Sequence, residues 1–420
     1  MKNTKHLRDL LIPSIKGGAF LAGAALILAS CQENTHTVTI EVKNPAEVDK
    51  TAATVEVPAQ ILQQTIEQYG TEKLVVTDSD GKALLNQWVD LDGDNTVDQW
   101  LFQVDLEAGE SGTYTVRPLK EGEEQPTSEQ QTFSRFVPER TDDYTWENDR
   151  VAFRTYGPDA QRRIEQKLPD GTLSSGMDCW LKRVDYPIID KWYKENDEKK
   201  GAYHVDTGEG YDPYHVGSSR GIGGIGIWEN DSLYTSRNFV SYKRIAVGPI
   251  RTIFELTYAP WEVNGKMVSE TKRISLDLGS NLNHFESTVK SEASVPNVTI
   301  GITLHNKEGQ VAINDESGIY RYWEPMDKSE LGLGIVMDPS DVIESKDHRV
   351  DYPDGSQLLV MAKPTKGKVS YYAGFGWKKS GQFDNAAEWD AYLKQFAKGL
   401  EKPLEVSVSG TIRTVSIKEE

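Results

Sequence analysis

The chain has 420 residues, 37% hydrophobic and 27% charged, with 47 Lys and Arg against 65 Asp and Glu. Glycine and proline together make up about 13%, ordinary usage that excludes collagen-like and disordered classes; the length allows two or three domains with cores of their own. The formal charge of −18 argues against nucleic acid as a partner, because a phosphate backbone selects basic surfaces.

Residues 1–30 read as an export signal. Lys2, Lys5, Arg8 and Lys16 precede or enter an apolar run from Gly17 to Ala29, too short for a spanning helix of about 20 residues. The run ends in Leu28-Ala29-Ser30-Cys31, which resembles a bacterial lipobox, whose cysteine is lipidated. A lipid on Cys31 anchors a chain to the bilayer of the cell envelope, periplasmic or outer-membrane, without spanning it. Acylation also leaves Cys179 without a disulfide partner. Flanked by Asp178 and Trp180, Cys179 reads as a small buried hydrophobe.

From residue 36 the pattern alternates with period two, as in Thr37-Val38-Thr39-Ile40-Glu41-Val42 and Ala53-Thr54-Val55-Glu56-Val57, the signature of half-buried strands. Trp100–Val104 and Gly112–Arg117 continue it, and residues 35–118 are expected to form a small β-sandwich. Within it, Asp90, Asp92, Asp94 and Asp98 place oxygens at the alternate positions that suit Ca²⁺. Asn95 stands where an EF-hand has glycine, and Leu101 where it has its bidentate glutamate, so an Asp-rich turn is the competing reading.

Residues 119–135 open with the polar run LKEGEEQPTSEQQT and read as a linker. From 136 to 420 the chain is again β-patterned, so a large β-sandwich follows. One late helix is expected over Glu388–Leu400, with Trp389, Leu393, Phe396 and Leu400 on one face and Asn385 and Glu388 as a capping box. The glycines at 217, 221, 223, 224 and 226 lack a Gly-Lys-Ser/Thr sequence and are assigned to backbone turns, not to phosphate binding.

Residues 180–220 are the informative stretch. They hold seven aromatics in 41 positions, where the chain averages 9%. His204, Asp206, Glu209, Asp212 and His215 form His-x-Asp-x-x-Glu-x-x-Asp-x-x-His. Flat rings beside carboxylates suit sugar recognition, since sugar C–H faces stack while hydroxyls need acceptors. A core strand with satisfied histidines and an acidic turn is the plain alternative.

The stretch Tyr203–Gly217 (YHVDTGEGYDPYHVG), with Trp180–Arg183, Tyr186–Tyr193 and Lys272–Asp277, resembles the signature of a domain family long filed as of unknown function. The resemblance covers most of residues 36–418. Members of that family belong to bacterial polysaccharide-utilisation systems, and one branch is similar to an oligosaccharide dehydratase acting on the terminal uronate of ulvan fragments. The implied fold is all-β: a small N-terminal β-sandwich, then a large sandwich of the galactose-mutarotase-like supersandwich type. The implied activity is a dehydratase or lyase forming an unsaturated uronate at the non-reducing end of acidic oligosaccharides.

Such chemistry needs a carboxylate clamp, a base and an acid. His204 and His215, with Tyr214, are the proton-transfer candidates. Lys182 and Arg220 would hold the carboxylate, Asp206 and Glu209 would orient histidines or bind hydroxyls, and Trp180 and Trp192 would stack on the sugar. No cofactor is required, although a structural Ca²⁺, or a divalent metal held by His204, Asp206, Glu209 and His215 in place of Arg220, is an open alternative. A glycoside hydrolase using a carboxylate pair, or a non-catalytic glycan-binding lipoprotein, also fits the same residues.

Overall fold

The computed structural model describes residues 38–292, 294–409 and 415–416; the signal segment and the lipidation candidate Cys31 lie outside them. The named strands pair antiparallel in five sheets. Among the described residues no helix is long and apolar enough to cross a membrane.

In the strand Val38–Lys43, Val38, Ile40 and Val42 are buried while Glu41 and Lys43 face water, the alternation their sequence predicts. This strand lies between Ser111–Pro118 and Glu405–Ser409, which returns from the far end of the chain. A three-stranded sheet of Lys50–Pro58, Gln99–Leu106 and Asn86–Val89 shares the core, where Ile40, Val55, Trp100, Phe102, Val116 and Val408 meet. The expected boundary of the large domain at 136–420 is therefore corrected at its end, because Val408 fills the first core instead.

The polar segment after Leu119 is a strap rather than a free linker. Glu123 takes two hydrogen bonds of 2.7 Å from Arg117, and Gln125 donates to the Leu74 carbonyl. Thr132 donates to the Gly248 carbonyl in the large sandwich. Its last residues, 133–135, already belong to the strand Phe133–Val137. Polar composition here supplies partners for backbone, which composition alone does not distinguish from solvation. The two sandwiches also meet directly: Val89 and Leu101 pack on Ile250 and Ile253, and Gln87 caps the Ile250 and Arg251 amides.

In the large sandwich, one face is a nine-stranded sheet running from Phe239–Ala246 to Gln310–Asn314. Two five-stranded sheets oppose it, one containing Asp178–Lys182 and Ala152–Thr155, the other Ile222–Glu229 and Val298–Thr303. A single apolar cluster including Trp146, Phe153, Ile225, Ile300, Phe254, Phe285, Leu333 and Phe375 joins all three.

Among the described residues there are four α-helices where one was expected: α1 (Gln63–Tyr69), α2 (Pro158–Glu165), α3 (Ile189–Glu198) and α4 (Ala386–Glu401). The first three have 7, 8 and 10 residues, too few turns for a 3.6-residue period to stand out. Helix α4 is the anticipated one. Asn385 accepts hydrogen bonds from the Ala387 and Glu388 amides, while Glu388 reaches back to Asp384 N instead of Asn385 N. It buries Trp389 and Leu393 on the outer face of the nine-stranded sheet, Phe396 packs at the margin, and Leu400 stays exposed. Gly332 and Gly376, paired across two strands, make that approach feasible: a Cβ at Gly332 would stand 2.7 Å from Trp389, and one at Gly376 2.5 Å from Phe383. Replacing Trp389 with Ala should cost about 3–5 kcal/mol of stability, measured by denaturant unfolding; an unchanged midpoint would show that α4 adds nothing to the fold.

Candidate functional site

The strand Asp178–Lys182 turns Cys179 and Leu181 into the sandwich core, while Trp180 faces the opposite way into a second cluster with α3 residues Ile189, Trp192 and Tyr193. The segment 203–217 lies over this second face. It pairs with the strand through Gly210 and Tyr211, and glycine is needed at 210, where φ is +119° and a Cβ would collide with the Leu181 carbonyl.

Beneath the segment is a buried charge network centred on Arg154. Its Nε donates to Asp178 Oδ2 (2.6 Å), its Nη2 to Asp212 Oδ2 (2.7 Å), and Asp143 Oδ2 lies 3.9 Å from Nη1. Tyr156 donates to Asp178 and Tyr193 to Asp143, and the guanidinium stacks against Trp180 and Tyr203. Three acids thus share Arg154, with Arg140 nearby on the Tyr203 hydroxyl. Oδ1 of Asp143, Asp178 and Asp212 has no hydrogen-bond partner. Burial pushes the Asp212 carboxyl well up despite Arg154, and pushes Asp143 up to about 6 against the pull of Arg154 and Arg140. Both shifts have the sign expected when desolvation outweighs ion pairing.

His204 sits at the rim of this network. Its ring is half exposed, with Nδ1 2.8 Å from the Asp212 carbonyl and 3.5 Å from Asp212 Oδ2. His215 is exposed, 3.5 Å from Asp354. The two imidazoles share no partner. Behind His215 lies His305, which no motif singles out; its Nδ1 lies 2.7 Å from Glu324 Oε1 and its Nε2 3.0 Å from the His215 carbonyl. Burial raises the Glu324 carboxyl against the pull of His305. His305 also holds φ at +32°, a strained value of the kind concentrated at functional sites.

Several expected site residues are not open to a substrate. Lys182 is fully buried, donating to Glu147 and to the Asn148 and Tyr186 carbonyls. Arg220 is buried at 1% exposure and binds Ser175 and the Ile225 and Ser218 carbonyls. Trp180 and Trp192 are in the second core cluster, their rings 5.4 Å apart. Tyr214 is buried edge-on to His305, and burial pushes its hydroxyl well up. The stretch that reads as site lining is to this extent core. Cys179 is also buried, and desolvation raises its thiol well above the ordinary range, which fits the inert role expected of it.

What does reach the surface is a different set. Arg183, one residue past Lys182, donates to Asp206 Oδ1 (2.7 Å) and to the Gly208 carbonyl. Lys379 lies 3.9 Å from the other oxygen of Asp206. Both cations cover the buried Trp377 ring, at 5.9 and 5.7 Å, and Lys379 also the buried Tyr211, whose hydroxyl donates to Asp327. Beside them is a depression of about 500 Å³ lined by Asp327, Ser329, Glu330, Lys378, Lys379 and Asp384. Glu209 is held by Lys191 (2.7 Å), Tyr186 and Trp192; burial opposes these donors, yet the carboxyl stays below its usual range. The run Gly376-Trp377-Lys378-Lys379 was a readable basic–aromatic signal; its proximity to Arg183 was not.

The carboxylates of Asp90, Asp92 and Asp98 come within 4.8 Å of one another and could hold a metal ion. Asn95 adopts φ +68°, supplying the left-handed turn otherwise left to glycine. Backbone amides already engage both oxygens of Asp90, Asp94 turns to the Thr96 amide, and Lys243 donates to the Asp92 carbonyl. The loop fits at most a three-carboxylate structural ion, with Asp94 outside the group.

Residues 42–406 match DUF4861, described as a domain of unknown function, and the chain belongs to that family. It is 43% identical over 392 residues to "Uncharacterized protein P7" of Formosa agariphila, covering 93% of this chain and 98% of that protein. Among solved structures it is similar to a glycosyl hydrolase family 38 protein of Enterococcus faecalis, with TM-score 0.48, 11% identity and 89% of this chain covered. An α-mannosidase of the V583 strain gives the same score at 12% identity. The chain spans about half the length of these two structures, 47% and 46%.

The Arg154 network makes two predictions. Arg154→Met leaves buried carboxylates unpaired and should cost about 3–5 kcal/mol in denaturant unfolding; a neutral effect would contradict the pairing. Asp143, raised from 3.8 to about 6 in the fold, binds its proton more tightly folded than unfolded. Its contribution is therefore present below about pH 4 and lost as pH rises through 6. Relative to wild type, Asp143→Asn should gain about 2 kcal/mol between pH 4 and pH 7; a pH-independent difference would show that Asp143 is ionised throughout.

Proposed function

We propose that this member of the family is a carbohydrate-active dehydratase or lyase that forms an unsaturated uronate at the non-reducing end of acidic oligosaccharides. The supporting observation is the pair of cations, Arg183 and Lys379, set over Trp377 with Asp206 between them, two residues from half-exposed His204. Planar guanidinium and point charge together suit the carboxylate of an acidic sugar.

In this reading Arg183 and Lys379 take the roles first assigned to Arg220 and Lys182. Neutralising the uronate carboxylate acidifies the C–H beside it. His204, oriented by Asp212, removes that proton, and the released electron pair forms the carbon–carbon double bond. The 4-oxygen departs with a proton from a second group, for which His215 beside Asp354 is the candidate. When the leaving group is a hydroxyl the balance is loss of one water; when it is a glycosidic oxygen the step is a lyase cleavage. No redox partner is needed. A hydrolase pair is less well supported, because Asp206 is ion-paired, Glu209 takes three donors and Asp212 is buried. The export signal and Cys31 add an envelope location on a lipid anchor to the proposal.

Purified protein incubated with acidic oligosaccharides from ulvan, pectin and glycosaminoglycans should generate the ultraviolet absorbance of a conjugated uronate and products lighter by one water, or lyase fragments. New reducing ends without that absorbance would favour hydrolysis, and no product at all would favour binding alone. On the substrate that responds, Arg183→Ala should raise KM by about 10–100-fold through loss of a charge-assisted contact. His204→Ala should lower kcat at least about 100-fold with melting unchanged. Full activity in both variants would remove this surface from the chemistry.

A further inference from the structure

The strand Lys266–Asp277 carries an anomaly in its inward row. Val268, Glu270, Lys272, Ile274 and Leu276 alternate into the sandwich core, so two charged side chains stand where a sandwich needs apolar ones. Lys272 and Glu270 are fully buried, Nζ and Oε1 3.3 Å apart. Glu270 is further tied to Ser236, which bonds Ser175, which in turn accepts from Arg220. Arg220, from the opposing sheet side, is the cation expected at a substrate and found instead in this layer.

The charge count does not close. The titratable groups that sense one another here are Lys272, Arg220, Glu270, Tyr258 and Tyr371, giving two cations against one carboxylate. Donors are also left over. Lys272 Nζ, Arg220 Nε and the Tyr258 hydroxyl are buried without a hydrogen-bond partner, as is one acceptor, Glu270 Oε1, 3.3 Å from Nζ, and the ammonium lies 5.2 Å from the Tyr258 ring centroid. Ser287 is paired directly across from Lys272 on the same face. Tyr371 is committed to the Gly223 carbonyl. Even with Glu270 Oε1 set against Lys272, positive charge and donors are in surplus in this buried layer, the complement of an anion.

We propose that the interior of the large sandwich binds a small monovalent anion, chloride in ordinary solution, held by Lys272, Arg220 and the Tyr258 hydroxyl. A bound anion brings the layer to neutrality and accepts the orphan donors, which a water molecule does only in part. The site is structural and separate from the Arg183–Lys379 surface, so it stands or falls independently of the proposed activity.

Bromide is the probe. A crystal of the wild-type protein grown with bromide should show an anomalous peak beside Lys272 Nζ, and unfolding in sodium chloride or bromide should occur roughly 2–5 °C above that in sodium gluconate at equal ionic strength. Lys272→Met should abolish the halide difference, and Glu270→Gln should enlarge it. Absence of the peak, or identical melting of wild type in halide and gluconate, overturns the proposal and assigns the neutralisation to a deprotonated Lys272.

Discussion

The side chain on which the local architecture depends is Arg154. Asp143, Asp178 and Asp212 come from three separate segments, and each is buried. Without a shared cation they would repel one another in a medium that screens poorly. With Arg154 among them, the strands Asp143–Glu147, Ala152–Thr155 and Asp178–Lys182 and the segment 203–217 are pinned at one point. Asp212 is the link to the surface. Its carboxylate answers Arg154, and its carbonyl receives the ring of His204. The geometry of the exposed histidine is thus set from below by a buried ion pair.

That arrangement explains why residue type alone misassigned parts of the site. Lys182 and Arg183 are adjacent cations in the same stretch. The first ends inside, on Glu147, and the second ends at the surface, on Asp206. Strand alternation decides between them, and it could not be read from Asp178–Lys182 because every residue there is buried on one face or the other. The aromatic enrichment of 180–220 was real, but Trp180 and Tyr203 use it to pack on the Arg154 guanidinium, and Trp192 and Tyr193 to pack on Trp180. His305, Glu324, Trp377 and Lys379 lie at least 85 residues beyond the segment 180–220, so nothing local to that segment announced them.

The fold was more legible than the site, and for a physical reason. Period-two alternation in Val38–Lys43 is a local consequence of one face being buried, and the Asn385 cap of α4 is likewise written in adjacent residues. Long-range pairing is not. Glu405–Ser409 has the same alternation whichever sheet receives it, and only the structure shows it beside Val38–Lys43. Glu270 and Lys272 break the pattern from inside, since two charges in an inward row read as an exposed strand.

The central claim is that Arg183 and Lys379 form the surface that meets the carboxylate of an acidic sugar. A crystal structure with a uronate-terminated oligosaccharide tests it most directly. The account predicts the carboxylate within hydrogen-bond distance of Arg183 and Lys379, with the ring facing His204. A sugar bound elsewhere on the protein, with both cations still closed on Asp206, would contradict it.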